Sequence, residues 1–345
     1  TNQTETNEGE KISDKLSKHA MNAEIIDGFL YNNEKHLLLA RIQYLEKVVD
    51  YFCIVESAYS FTGLEKTLSA KKVIEQEFGS EFLTNRVCIL ENKEYISARN
   101  IDEVTSKYSE KLLVAELKHQ YNSIKHDKFV WLNDCFQREL LSEIILKCII
   151  KNAMGINNLV VLISDVDEIP SINFVNYIKN SGDTIIFAEM DQFRYNMNIM
   201  DKEKWIGTVK FNYKHLTQYT VNELRFATKR KQSTITKYKI QANSGWHFTS
   251  FGALSEIKNK MSSWGHQELN TKINRLFLPF RLTYGLDIFG RNISYDLVLE
   301  NVIPTELKAH LSQLSSVPTK KPLRVHKLLH RILWFIDRVL YRLTR

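Results

Sequence analysis

The run Val160-Val161-Leu162-Ile163-Ser164-Asp165-Val166-Asp167-Glu168-Ile169-Pro170 delivers three carboxylates within four residues, and a proline then stops it. Its apolar part has the length and β-branched content of a buried strand, so the acids fall where such a strand ends. In open α/β sheets that end is where ligands bind. Asp165 and Asp167 are two apart and on a regular strand point the same way. Three clustered acids repel each other and resist burial, which calls for positive charge among them. A divalent ion with hard oxygen ligands, Mn²⁺ or Mg²⁺, meets that need and can carry a diphosphate on its open positions. The plain alternative is a solvated acidic turn; the hydrophobic strand before it and the Ile-Pro after it argue against that.

The elements around this motif alternate. Glu24 to Tyr31 reads as a strand. Asn32 or Asn33 can cap a following helix whose Leu37, Leu38, Ala40, Ile42 and Leu45 follow helical spacing. A second strand, Tyr51 to Val55, ends at Glu56-Ser57. Another helix and the strand Val87 to Leu90 repeat the pattern, so a parallel sheet with crossover helices is the economical reading. Helices over 108–126 and 134–152 precede the acidic strand. After Pro170, strands are expected over 184–198, 205–213 and 235–248, with a helix over 221–229. The second half reads as part of one mixed α/β domain.

Composition narrows the class. The chain has 345 residues, 43% apolar and 25% charged, ordinary for a soluble protein, and only 5 prolines and 12 glycines argue against long linkers. Cys53, Cys88, Cys135 and Cys148 sit in apolar stretches without Cys-x-x-Cys spacing and read as core residues. From Lys320 onward there are eight basic residues and one acid, Asp337, which accounts for the whole net charge of +7. The body is neutral, so nucleic-acid binding is not expected. Residues 1–20 read as a polar leader, 21–316 as the catalytic domain and 317–345 as a basic amphipathic helix. In that helix Leu328, Leu329, Ile332, Phe335, Ile336, Val339, Leu340 and Leu343 form one apolar face. Such a helix can lie on an anionic membrane surface, or else dock on the rest of the chain.

Several stretches, in order, resemble glycosyltransferase family 17, the family of the β-1,4-mannosyl-glycoprotein 4-β-N-acetylglucosaminyltransferase. They are Asn32-Asn33-Glu34 with Leu37-Leu38, Val48-Val49-Asp50-Tyr51-Phe52 into Glu56-Ser57 and Gly63, and Asp134 with Arg138. Asp165 to Pro170, Gly245-Trp246-His247 and Trp264-Gly265-His266-Gln267-Glu268 complete the set. The resemblance implies a GT-A, Rossmann-like nucleotide-diphospho-sugar transferase fold with a mixed, mainly parallel sheet. It also implies a UDP-sugar donor (UDP-GlcNAc), a divalent metal and inversion at the anomeric carbon. The sequence departs from the animal enzymes in lacking an N-terminal anchor and in its basic tail. Those departures point to a cytoplasmic enzyme, peripheral on the inner face of the membrane, acting on a lipid-linked or surface glycan.

Within that frame Asp167 is the expected direct metal ligand, Asp165 a ribose or metal-water contact, and Glu168 an orienting group. His247 can complete the metal shell or meet the diphosphate; otherwise it packs under Trp246. Inversion needs a general base, with Glu268 first and Glu189 and Asp191 as rivals. Glu56 and Ser57 can bond the uracil or ribose, or simply begin a turn. Arg138 can bind the diphosphate, or only pair with Asp134 within one helix. Trp205 and Trp264 are candidates for stacking on an acceptor sugar. The competing classes are a metal-dependent phosphohydrolase and a non-catalytic membrane-associated protein whose acidic site is vestigial. Aspartyl-phosphate enzymes need a hydroxyl-bearing residue two positions after the second Asp, and Ile169 stands there.

Overall fold

The computed structural model describes residues 23–107, 118, 128–229, 233–263, 269–291, 293, 295–298, 302–312 and 320–343. The polar leader, the expected helix over 108–126 (save Lys118) and the Trp264 to Glu268 stretch lie outside the described residues.

The first half alternates as its hydrophobic periods dictate. β1 (Ile25–Tyr31), α1 (Lys35–Leu45), β2 (Tyr51–Ser57), α2 (Ala70–Arg86) and β3 (Val87–Asn92) are followed by α3 (Ile101–Ser106), α4 (Lys128–Asn152) and β4 (Val160–Asp165). The second half is richer in strands: β5 (Glu168–Pro170), α5 (Ile172–Ile178), β6 (Ile186–Arg194), β7 (Ile199–Asp201) and β8 (Trp205–Asn212). Then come α6 (Val221–Phe226), β9 (Lys239–Gln241), β10 (Gly245–Thr249), α7 (Leu254–Ser263), α8 (Lys272–Leu276), α9 (Leu278–Thr283), β11 (Tyr295–Leu297), α10 (Thr305–Leu311) and α11 (Arg324–Leu343).

One mixed sheet runs β11-β7-β6-β8-β4-β1-β2-β3, with β9 and β10 added on β6 and β5 on β10. The β3-β2-β1-β4 block is parallel. β8 enters antiparallel to β4 and β6 antiparallel to β8, so the parallel order ends beside the acidic strand. The alternation within β1 shows why both faces are covered. Ile25 and Phe29 join the core under α1 with Leu38, while Ile26 and Leu30 join the core under α4 with Phe136 and Ile145. Strands covered on both faces read as near-continuous apolar runs. A third, smaller core is built from α7, α8's neighbour α9 and the chain after it, with Ile257, Met261, Leu278, Leu282 and Phe289. All four cysteines are buried and free, as their apolar settings imply.

Several boundaries differ from the sequence reading. The helix expected over 134–152 already begins at Lys128, and the strand expected over 184–198 ends at Arg194, with β7 following at Ile199. Glu34, not Asn32 or Asn33, is the residue at the start of α1, and it makes no side-chain capping bond there. The helix expected over 221–229 stops at Phe226. The strand expected over 235–248 splits into β9 and β10, because Asn243 takes a left-handed φ of 52° and turns the chain between them.

Candidate functional site

Asp165, Val166, Asp167 and Glu168 form the turn between β4 and β5, at the carboxyl ends of β4 and β1, where Leu30 lies opposite Asp165. The turn is held from beneath by Arg41 of α1. Its Nη1 donates to the backbone oxygens of Asp165 (3.1 Å) and Glu168 (2.8 Å), and its Nη2 to Ser164 Oγ (2.7 Å). Nε and Nη2 also grip Asp27 of β1 at 2.7 and 2.6 Å, with both side chains fully buried. The donors of this guanidinium therefore end on β1, on Ser164 of β4 and on the acidic turn.

The three acids face different surroundings. Asp165 is at the rim, its side chain two-fifths exposed, 3.6 Å from Arg138 Nη2 and 3.8 Å from Arg225 Nη2. Burial pushes its pKa up, but Arg138 and then Arg225 outweigh that and hold it below the usual range. Glu168 is fully buried: Oε1 accepts from Trp205 Nε1 (2.6 Å) and from Arg225 Nη2. Burial lifts its pKa despite Arg225. Asp167 meets Lys260 of α7, whose Nζ lies 2.8 Å from Oδ2, and His247, whose Nε2 is 3.8 Å from Oδ1.

His247 arrives on β10 because Gly245 lets that strand press against β5. A Cβ at Gly245 would stand 2.3 Å from the oxygen of Ile169, so no larger residue fits. The imidazole stacks on Trp205 at 4.7 Å between ring centroids, and its Nδ1 is buried with no hydrogen-bond partner. Burial pushes its pKa down to about 4, against the pull of Asp167, so it is neutral at physiological pH.

Cations ring the turn. Arg138 on α4 pairs with Asp134 four residues earlier at 2.8 Å and also reaches Asn222 at 3.3 Å. The helical ion pair and the approach to Asp165 therefore coexist. Arg225 is placed by α6, whose start is fixed twice: Thr220 and Glu223 form a capping box, and Glu139 of α4 accepts from the Val221 and Asn222 amides. Lys229 lies over the face of Trp205, its Nζ 3.7 Å from the ring centroid.

The remaining expected site residues divide. Glu56 accepts from the Ser69 amide (2.8 Å) with Oε1 and from the Ala70 amide (2.9 Å) with Oε2, so both carboxylate oxygens serve the start of α2. Ser57 Oγ accepts from Asn92 Nδ2 at 3.0 Å and the Tyr59 amide at 3.2 Å. Asp191 pairs in register with Trp246, one residue before His247, so it and Glu189 face the side of the sheet away from His247. Asp191 is bound to Lys204. Glu268 lies outside the described residues.

Beside Lys260 opens a cavity of about 270 Å³, between the loops after β1 and β2 and the helix α7. Asn33, Glu34, Ser60, Lys66, Phe251 and Lys260 are among its walls. Glu34 Oε1 is 3.6 Å from Lys260 Nζ, and burial raises the Glu34 pKa against that ammonium. Among the described residues, no three His, Cys, Asp or Glu side chains gather closely enough to hold a metal ion. Arg138, Arg225 and Lys260 stand among the acids.

Lys260 and Arg225 were not singled out by the sequence reading, though a signal existed. Lys260 lies three residues after Ile257 and one before Met261, both buried, which puts it at the edge of the inward face of α7. Arg225 lies four after the buried Val221.

Comparison with known proteins now adds to this geometry. The family model of glycosyltransferase family 17 matches residues 11–89 and 80–282. The chain belongs to glycosyltransferase family 17. It is a glycosyltransferase, and the family implies a nucleotide-sugar donor. No curated protein matches the chain. Among solved structures, this family 17 enzyme is similar to the inositol-1-phosphate CTP transferase from T. maritima, with 10% identity over 64% of this chain and 86% of that one, at a TM-score of 0.28.

Proposed function

We propose that the protein is a metal-dependent, inverting glycosyltransferase of GT-A type that moves a sugar, GlcNAc from UDP-GlcNAc, onto a hydroxyl of a lipid-linked or surface glycan. The observation that carries this reading is the acidic turn at the carboxyl ends of β1 and β4. It is ringed by Arg138, Arg225, Lys229 and Lys260 and lies beside a cavity. Glycosyl transfer from a nucleoside diphosphate builds negative charge on the departing phosphate oxygens. Fixed cations in a partly dry site stabilise that charge without a proton transfer.

Asp165, Asp167 and His247 would supply the ion's ligands. Their donor types, two carboxylates and a neutral imidazole, suit Mn²⁺ or Mg²⁺. As they stand they are not gathered closely enough to hold the ion together, so binding requires Lys260 to give up Asp167 and the acidic turn to close on the ion. The Asp167–His247 gap of 3.8 Å is too long for a hydrogen bond, and the buried Nδ1 of His247 is unbonded, so the imidazole is uncommitted. When bound, the ion supplies Lewis-acid neutralisation of the diphosphate. Arg138 and Arg225 hold Asp165 ionised and stand ready for phosphate oxygens. Glu168 keeps Arg225 and Trp205 in place from below. Glu268 takes the acceptor proton.

Hydrolysis of a panel of nucleotide sugars, with and without Mn²⁺ and EDTA, tests the reading. UDP-GlcNAc should be the preferred donor, and Asp167→Ala should abolish turnover in a folded protein. Full activity in EDTA would overturn the metal assignment, and preference for a donor without a nucleoside diphosphate would overturn the reaction.

A further inference from the structure

The C-terminal helix α11 docks on the body by its polar side. His326, His330, Leu333 and Asp337, spaced four, three and four residues apart, form the inward stripe; Leu333 is 7% exposed and Asp337 2%. His326 stacks on Tyr284 at 3.7 Å, and His330 Nε2 lies 3.3 Å from the oxygen of Arg291. Trp334 rides over Gly290, whose φ is +83° and where a Cβ would stand 2.9 Å from the Trp334 Cβ. A helix of a soluble protein ordinarily turns its apolar stripe to the core. Here the apolar stripe points outward. Val325, Leu328, Ile332, Phe335, Ile336, Val339 and Leu343 are all exposed, Phe335 at 65% and Leu343 at 76%. A contiguous apolar surface of this extent marks an interaction site.

We infer that this face is a docking surface for an anionic lipid bilayer, on which α11 lies in the interfacial plane. Charge selects the occupant. Lys320 and Lys321 stand at the entry to the helix, and Arg324, Lys327 and Arg342 are exposed along one flank of the apolar stripe. The one acid of the helix, Asp337, is turned inward. Cations beside an exposed apolar stripe are the arrangement that anionic headgroups over acyl chains complement. A second copy of the chain fits less well. Antiparallel two-fold pairing through this face would set one basic flank against the other. No described helix is long and apolar enough to cross a membrane, so the contact is interfacial. The helix contacts α8 and the chain at Tyr284, Gly290 and Arg291. These lie next to the third core, in which Leu282 and Phe289 join Ile257 and Met261 of α7, the helix that carries Lys260 to the acidic turn. Membrane docking would thus set the site near a lipid-linked acceptor, although the inference stands on the helix alone.

The test is co-sedimentation of the full chain with phosphatidylcholine vesicles, alone or with about one-third phosphatidylserine. Binding to the anionic vesicles should exceed binding to the neutral ones by about tenfold and fall steeply as salt is raised. Leu328→Asp with Phe335→Asp should cut binding by at least about tenfold while leaving the melting temperature and donor hydrolysis unchanged. Lys327→Gln with Arg342→Gln should remove the preference for anionic lipid. Equal binding to both vesicle types, or full binding by the double Asp variant, overturns the inference. A wild-type dimer that the double Asp variant converts to monomer also overturns it and assigns the face to a second copy.

Discussion

Lys260 Nζ lies 2.8 Å from Asp167 Oδ2 and 3.6 Å from Glu34 Oε1, an ammonium inserted between the acidic turn and the cavity. Asp167 and Glu34 raise the Lys260 pKa above the usual lysine range in spite of burial, so it stays charged. An ammonium and a divalent ion compete for the same carboxylate. Lys260→Met should therefore tighten Mn²⁺ binding by about tenfold or more in calorimetry, because a buried Asp167 without its partner seeks another cation. Weaker or unchanged metal affinity would mean that the ion does not use Asp167.

Arg41 makes the fold of the site depend on one side chain. Arg41→Met leaves Asp27 buried without its partner and strips donors from Ser164 and from the backbone of Asp165 and Glu168. Breaking a buried pair by removing one partner costs about 3–5 kcal/mol. Urea unfolding should show that loss, and replacing Asp27 with Leu in the same protein should recover a good part of it. A loss under about 1 kcal/mol would show that water or a rearranged turn takes over from the guanidinium.

The contrast between Asp165 and Arg41 explains what could be read in advance. A β-branched run followed by carboxylates and a proline announces a strand end, because period and composition are local. The alternating first half was legible for the same reason. Arg41 sits at a position of α1 flanked by buried Leu37 and Leu45, four residues away on each side. A cation in an apolar stripe demands a buried acid, but which acid depends on the strand packed beneath. Asp27, inside a run that reads as plain strand, gave no sign of it. The ring of cations is likewise assembled from α4, α6 and α7, and its members meet only through the fold. His247 was singled out only through the family resemblance of Gly245-Trp246-His247; the close approach of Gly245 to Ile169 that places it appears only in the fold.

Glu56 offers a clean separation of scaffold from binding. Its two oxygens accept from the first amides of α2. Glu56→Ala should lower stability by about 1–2 kcal/mol, the cost of losing a helix cap. Donor KM should stay within about threefold of wild type, since the carboxylate is buried and both its oxygens are engaged by the start of α2. A donor KM raised tenfold or more with unchanged stability would return Glu56 to the nucleotide site.

The general base is tested by a pair of variants. Glu268→Gln should leave donor affinity near native and lower kcat by about two to four decades. Glu189 and Asp191 face away from His247, so their amide variants should change kcat far less. If Glu268→Gln keeps kcat within about threefold, Glu34 becomes the candidate, because it lines the cavity and burial raises its pKa. Glu34→Gln would then show the loss.

The last prediction uses the sign of two lysine shifts. Desolvation over the Trp205 face, and then the charge of Arg225, lower the Lys229 pKa from 10.5 to about 8. Below that value Lys229 is a cation near Arg225 and the acidic turn; above it the charge is gone. If it helps hold the donor diphosphate, kcat/KM should fall as pH rises through about 8, since this parameter reports the free enzyme. Lys229→Arg should abolish that limb, because a guanidinium does not deprotonate there, and Lys229→Met should give a low, flat profile. Stability runs the other way. Lys210 is buried, donates to the Gly182 and Thr184 carbonyls, and burial lowers its pKa from 10.5 to about 8. Its folded pKa lies below the unfolded one, so between those values the unfolded chain binds more protons and the fold gains stability as pH rises. Activity should therefore decline over a range in which the melting temperature holds or climbs. A decline that tracks unfolding, or one that survives in Lys229→Arg, would remove Lys229 from the donor site.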